Sequence, residues 1–158
     1  MEEQHLKFME HAISLAERNI HECLGGPFGA VIVKDNVIIA ESQNLVTSSN
    51  DPTAHAEVSA IRKACEKLQT FDLSGCVLYT SCEPCPMCLG AVYWSRISEL
   101  FYAGTRTHAA AAGFDDEFIY NELGLPVAQR QLPTHQILAE EANMLFKAWK
   151  DSENKTLY

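Results

Sequence analysis

The chain has 158 residues, 47% of them hydrophobic, with 12 Lys and Arg against 21 Asp and Glu and a formal net charge of −9. That length and composition suit one globular domain, residues 1–158, able to bury a substantial core. The acidic balance, with no basic cluster, argues against nucleic acid, which is bound by cations that displace counterions, and favours a small neutral partner.

Met1-Glu2-Glu3-Gln4-His5 lacks the basic and apolar regions of a signal peptide, and no apolar run approaches the ~20 residues that cross a bilayer. No membrane association and a cytoplasmic location are expected. Leu6, Met9, Ile13, Ala16 and Ile20 recur at helical spacing and predict an amphipathic helix from about residue 4 to 22, ended by Gly25-Gly26-Pro27. Phe28 to Val33 and Val37 to Glu41 read as a hairpin about Lys34-Asp35-Asn36, whose Asp and Asn tolerate left-handed conformations. Asp51-Pro52-Thr53 opens a second helix, with Val58, Ile61, Cys65 and Leu68 as its buried stripe. A strand over Cys76 to Thr80, a helix from Pro84-Cys85-Pro86 to about Trp94 and a strand over Leu100 to Ala103 follow. This alternation implies a parallel portion of sheet and an α/β fold in three α/β/α layers around a mixed sheet of about five strands. Beyond Gly104 the signals are a helix start at Asp115-Asp116-Glu117, loops at Pro126 and Pro133, a short strand over Gln136 to Leu138 and a terminal helix from Glu140 to about Lys150.

The chemistry is concentrated in His55-Ala56-Glu57 and Pro84-Cys85-Pro86-Met87-Cys88. One imidazole and two thiolates, from His55, Cys85 and Cys88, would hold one Zn2+ per chain and leave its fourth position open for water, as in a catalytic rather than a structural site. Glu57, not a ligand, would move protons between the water and a leaving amine, the layout of a hydrolytic deaminase. His55 and Glu57 cannot share a helix flank, so both are expected in a first turn, with Cys85 and Cys88 at the start of the next helix and both N-termini facing one cavity. Cys82 is the competing ligand, and recruiting it would close the coordination sphere and leave Glu57 without a task. Disulfides are not expected. Cys23 and Cys76 read as small packing residues, and His5, His11, His21, His108 and His135 as surface or satisfied structural groups.

Gly25 to Val31, Asn50 to Glu57, Thr80 to Gly90, the Gly113-Phe114-Asp115-Asp116 segment with Phe118-Ile119-Tyr120, and the terminal Tyr158 together resemble the bacterial guanine deaminases of the cytidine-deaminase fold. The zinc motif alone points only to the superfamily. The resemblance implies hydrolysis of guanine to xanthine and ammonia, with a related base or nucleoside or a tRNA adenosine as the alternative substrates. It implies that Asn44 hydrogen-bonds the purine edge, Phe28 lies against its ring, Ala56 contacts it, Trp94 walls the pocket and Asp116 assists proton delivery at the amino group. It further implies a homodimer that exchanges C-terminal segments, so that Tyr158 closes the partner's site. Without it, Phe28 would read as a core aromatic, Asn44 as a turn residue, and Asp115 and Asp116 as helix-capping acids.

Overall fold

The computed structural model describes residues 2–158, and Met1 of the expected domain lies outside them. It divides into two compact units, one ending at Asp116 and the other spanning Glu117–Tyr158. In chain order the first unit holds α1 (Glu2–Glu22), β1 (Gly29–Lys34), β2 (Val37–Gln43), the short α2 (Val46–Ser49), α3 (Ala56–Leu68), β3 (Cys76–Cys82), α4 (Pro86–Trp94), β4 (Glu99–Gly104) and α5 (Arg106–Ala111).

The strands form one sheet in the order β2-β1-β3-β4, with β1 antiparallel to both its neighbours and β3 parallel to β4. The parallel pair lies where the crossover helix α4 was expected. The count is four rather than about five, because Gln136 to Leu138 forms no strand and Leu138 instead takes a left-handed φ of 55°. The hairpin turns at Asp35 and Asn36, whose φ values of 49° and 63° are both left-handed, as a two-residue turn matching strand twist requires.

Helices cover both faces of the sheet. On one, α1 packs Ala12 and Leu15 against Val31, Val33 and Tyr79; on the other, Ala56, Ala60, Ile61 and Ala64 of α3 and Val92 of α4 meet Ala30, Ile32 and Leu78. The buried stripes differ from those expected. Of the expected stripe on α1, Ala16 is buried and Met9 packs partly against the core, but Leu6, Ile13 and Ile20 are exposed, and the packed face is rotated onto Ala12, Leu15, Ala16 and Asn19. In α3 the buried face runs through three alanines four residues apart, while Val58, Cys65 and Leu68 are only partly covered. Small residues win because they let a helix lie close to the sheet: a Cβ at Gly29 would collide with the Ala12 carbonyl.

Two helix limits also shift. Cys23, at φ 55°, ends α1 before the Gly25-Gly26-Pro27 stretch, and it is exposed rather than packed, whereas Cys76 is fully buried. Asp51-Pro52-Thr53 forms a turn instead of a helix start: the Asp51 carboxylate accepts the Thr53 N–H at 2.8 Å and its hydroxyl at 2.7 Å. Those bonds hold the Asp51 carboxyl below its ordinary range and delay α3 to Ala56.

The second unit comprises α6 (Glu117–Gly124), a 3-10 turn over Val127–Gln129 and α7 (Ala139–Asp151). No residue in it is fully buried, and Leu132, Ile137, Leu145 and Phe146 are each at least 70% exposed (73%, 80%, 71% and 74%). No helix among the described residues is long and apolar enough to cross a membrane.

Candidate active site

Two helices begin at the site in the same way. His55 is the N-cap of α3, with φ −64° and ψ 157°, and Cys85 is the N-cap of α4, with φ −66° and ψ 168°. Neither side chain caps its own helix; an extended cap residue aims its side chain past the helix end, while its carbonyl accepts the first intrahelical bond, from Ser59 to His55 and from Leu89 to Cys85, each at 2.9 Å. Pro86 fits the first turn of α4 because its missing N–H would have no partner there. The next helical turn brings in Glu57 from α3 and Cys88 from α4. His55 and Glu57 thus meet one cavity although they are two apart, since one of them lies outside the helix.

The Nδ1 of His55 lies 3.5 Å from the Cys85 Sγ and 3.4 Å from the Cys88 Sγ, and the three donor atoms are within 4.8 Å of one another. Cys88 is fully buried, His55 and Cys85 half-buried. The Cys88 thiol hydrogen-bonds Cys85, and this bond with those of His55 pushes Cys85 down to about 4. Contact with Cys85 raises the imidazole of His55 against the effect of its burial. Cys88, as the donor, is raised by the same bond and by burial. This cluster is a thiolate, a thiol and an imidazole sharing protons at two positive helix ends, a donor set that fits Zn2+, on which both cysteines ligate as thiolates.

Glu57 is 6% exposed, accepts from the Thr80 hydroxyl at 3.2 Å on one oxygen and lies 3.4 Å from the Cys88 sulfur with the other. Burial raises its carboxyl above the ordinary carboxylate range. Cys82 stands apart. Its thiol donates to the Thr105 carbonyl at 3.7 Å, and burial pushes it up to about 11, the character of an inert core thiol.

Farther from the trio, Asp116 pairs with Arg106 at 3.4 Å. Its carboxyl is raised by burial, opposed by Arg106 and raised further by the Cys85 thiolate, which places it within electrostatic reach of the ligands. Phe28 meets Phe114 edge to face at 4.9 Å between centroids. Asn44 is buried, its main-chain N–H donates to the Phe28 carbonyl at 3.0 Å, and the adjoining Leu45 N–H donates to Ala54, the residue before His55, at 2.9 Å.

The family model of the cytidine and deoxycytidylate deaminase zinc-binding region matches residues 2–104. The chain belongs to that family. It is 56% identical to the guanine deaminase of Bacillus subtilis, covering 98% of this chain and 99% of that protein, and superimposes on the crystal structure of the Bacillus subtilis enzyme with a TM-score of 0.94 over 98% of each chain. It is also 39% identical to a tRNA-specific adenosine deaminase of Aquifex aeolicus, over 75% of this chain and 76% of that protein. A guanine deaminase structure from Nitrosomonas europaea is 38% identical, with a TM-score of 0.66 over 69% of this chain and 63% of that one.

In this deaminase the fold brings together His55, Cys85 and Cys88 with Glu57 against Cys88, buries Ala56 in the core beside His55, and sets Phe28 before β1 and Asn44 after β2, bonded to each other. Trp94 ends α4, about 9 Å along the axis from Cys88 at 1.5 Å per residue, and is 69% exposed. Tyr158 ends the second unit and is exposed. Three residues near the site were not foreseen. Thr80 left a signal, a polar residue within a strand buried on both faces, while Arg106 and Asn19 left none. The rings of His5, His11 and His108 are satisfied as expected, by the Tyr79 hydroxyl, the Glu41 carboxylate and the Thr105 main-chain N–H. Metal analysis of single variants checks the ligand set: Cys82→Ser is expected to keep one zinc per chain, and Cys85→Ser and Cys88→Ser to lose it. Zinc lost from Cys82→Ser and kept by Cys88→Ser contradicts the assignment.

Proposed function

We propose that this chain is a zinc-dependent guanine deaminase, converting guanine and water to xanthine and ammonia. The observation that carries the reading is 56% identity across nearly the full length of both chains, joined to the His55, Cys85 and Cys88 cluster with Glu57 beside it. When bound, zinc lowers the pKa of water toward neutrality and so supplies the nucleophile for attack at C2. Glu57 would take a proton from the attacking water and hand protons to the ring and to the amine that leaves as ammonia when the C2–N bond breaks. Its raised carboxyl suits a group that must accept and return a proton in one cycle. Thr80 holds the carboxylate from behind.

Around the base, Phe28 lies against the ring, Ala56 contacts it, Asn44 hydrogen-bonds its edge and Asp116 assists proton delivery at the amino group. The ion pair with Arg106 and the proximity to Cys85 support Asp116 in that role rather than as a helix cap alone. Trp94 walls the pocket, and the terminal Tyr158 of one subunit closes the site of the other. The two units act as a single functional domain over 1–158, a reading supported by a relative that matches both of them. The active form is a cytoplasmic homodimer that exchanges C-terminal segments, and the exposed apolar side chains of the second unit, Leu145, Phe146 and Trp149 among them, support it. The net charge of −9 favours a free base over tRNA.

Ammonia release from guanine, guanosine, cytosine, adenine and ammeline by the zinc-loaded protein, with tRNA adenosine deamination measured alongside, tests the substrate. Guanine is expected to give the highest kcat/KM, because a buried polar edge rejects bases that leave it unpaired. Preference for cytosine or tRNA would overturn the assignment. Glu57→Gln is expected to keep zinc and lose roughly 10²-fold or more in kcat. Mixing Glu57→Gln with a chain lacking its last residues tests the exchange: only a tail donated in trans creates a site with both parts intact. Activity regained in demonstrated heterodimers supports it, and none regained places the tail within its own subunit.

A further inference from the structure

The Asn44 side chain is oriented by main-chain groups on two sides. Its Oδ1 accepts the N–H of Gly26 at 3.2 Å and of Val46 at 3.1 Å, which commits the oxygen to the chain and leaves Nδ2 facing away from it. Nδ2 makes no hydrogen bond among the described residues, so Asn44 has only donors to offer a ligand. It therefore suits an acceptor atom on the edge of a base.

What holds this arrangement comes from another element. Asn19, near the end of α1, is fully buried, and its Nδ2 donates to the Asn44 carbonyl at 2.9 Å and to the Gly26 carbonyl at 2.7 Å. Its own Oδ1 is buried without a partner. An orphaned acceptor weakens a fold, so core packing alone does not account for an asparagine here, whereas the two donations do. Gly25 completes the seat, since a Cβ there would collide with the Asn44 Oδ1 and carbonyl. Through Leu45 and Ala54 the same strand end is tied to His55.

We propose that Asn19 is a positioning residue for substrate: it touches no base, but by pinning the Asn44 and Gly26 carbonyls it fixes where the Asn44 donors sit relative to the metal ligands. The inference rests on Asn44 contacting the base, as in the function proposed above. Removing the pin leaves Glu57, Thr80 and the ligand cluster in place, so recognition weakens while the proton transfers survive.

The test compares wild type, Asn19→Leu, Asn19→Ala, Asn44→Asp and Asn19→Leu with Asn44→Asp, each checked for zinc content and thermal midpoint. Asn19→Leu keeps the branched outline of the side chain, though with larger end groups, while removing both donors and the orphaned acceptor; Asn19→Ala removes them without adding bulk. Asn44→Asp keeps the acceptor for Gly26 and Val46 but offers the base no donor. Wild-type turnover is read first: if guanine is not deaminated, the proposed substrate fails, and the comparison is made with whichever base is. Asn19→Leu and Asn19→Ala are expected to keep zinc and raise KM roughly tenfold to a hundredfold, with kcat within about threefold of wild type. In the Asn44→Asp background, Asn19→Leu is expected to add less than about threefold, the non-additivity of residues acting as one unit. Unchanged KM, a loss confined to kcat, full additivity with Asn44→Asp, or failure of both Asn19 variants to fold would each overturn the proposal, the last by making Asn19 a residue of the fold alone.

Discussion

The structure depends on two helices starting at one point. Each helix N-terminus brings unpaired N–H groups and partial positive charge, and placing two of them together is unfavourable unless negative charge is found for both. The Cys85 thiolate supplies it, and Cys88 would add a second thiolate when zinc is bound, so the ends of α3 and α4 can serve as a metal seat rather than as a defect. The same field acts on Glu57, whose burial pushes its proton affinity up while the neighbouring His55 pulls it down. A buried carboxyl raised on balance in this way and held by Thr80 is suited to accepting a proton and returning it.

Convergence of that kind requires helices seated close to the sheet. The contact faces are built from alanine and glycine: Ala12 lies over Gly29 on one side, and Ala56, Ala60 and Ala64 run along β1 and β3 on the other. Larger side chains on α3 would lift it from the sheet, carry its first turn away from the strand ends and separate His55 from Cys85 and Cys88. Close seating also leaves polar groups stranded, and the orphaned Asn19 Oδ1, at roughly 1–3 kcal/mol, is one such cost accepted beside the site.

The features legible in the sequence were those carried by short spacings. His55-Ala56-Glu57 and Cys85-Pro86-Met87-Cys88 declare both helix starts and their ligands, and the exclusion of Cys82 followed from the need for an open coordination position. The hairpin at Asp35 and Asn36 was equally local. Apolar periodicity misleads where the large residues lie off the buried face: Leu6, Ile13 and Ile20 follow helical spacing yet are exposed, because Ala12, Leu15 and Ala16 occupy the contact. Long-range partners had no local signature. Asn19 reaches Asn44 across 25 residues and Thr80 reaches Glu57 across 23, and neither separation can be read from composition or period. Asn44 shows that two readings can hold together, since it accepts from Val46 as a turn residue does and keeps its donors for another use.

X-ray absorption at the zinc edge of the loaded protein tests the central claim directly, because it counts the ligand atoms rather than inferring them from variants. The account predicts two sulfurs at about 2.3 Å, one imidazole nitrogen at about 2.0 Å and one further light atom that changes when a base analogue is added. Three sulfurs and one nitrogen, unaltered by any base, would mean that Cys82 closes the coordination sphere, and would contradict a catalytic centre at the meeting of the two helices.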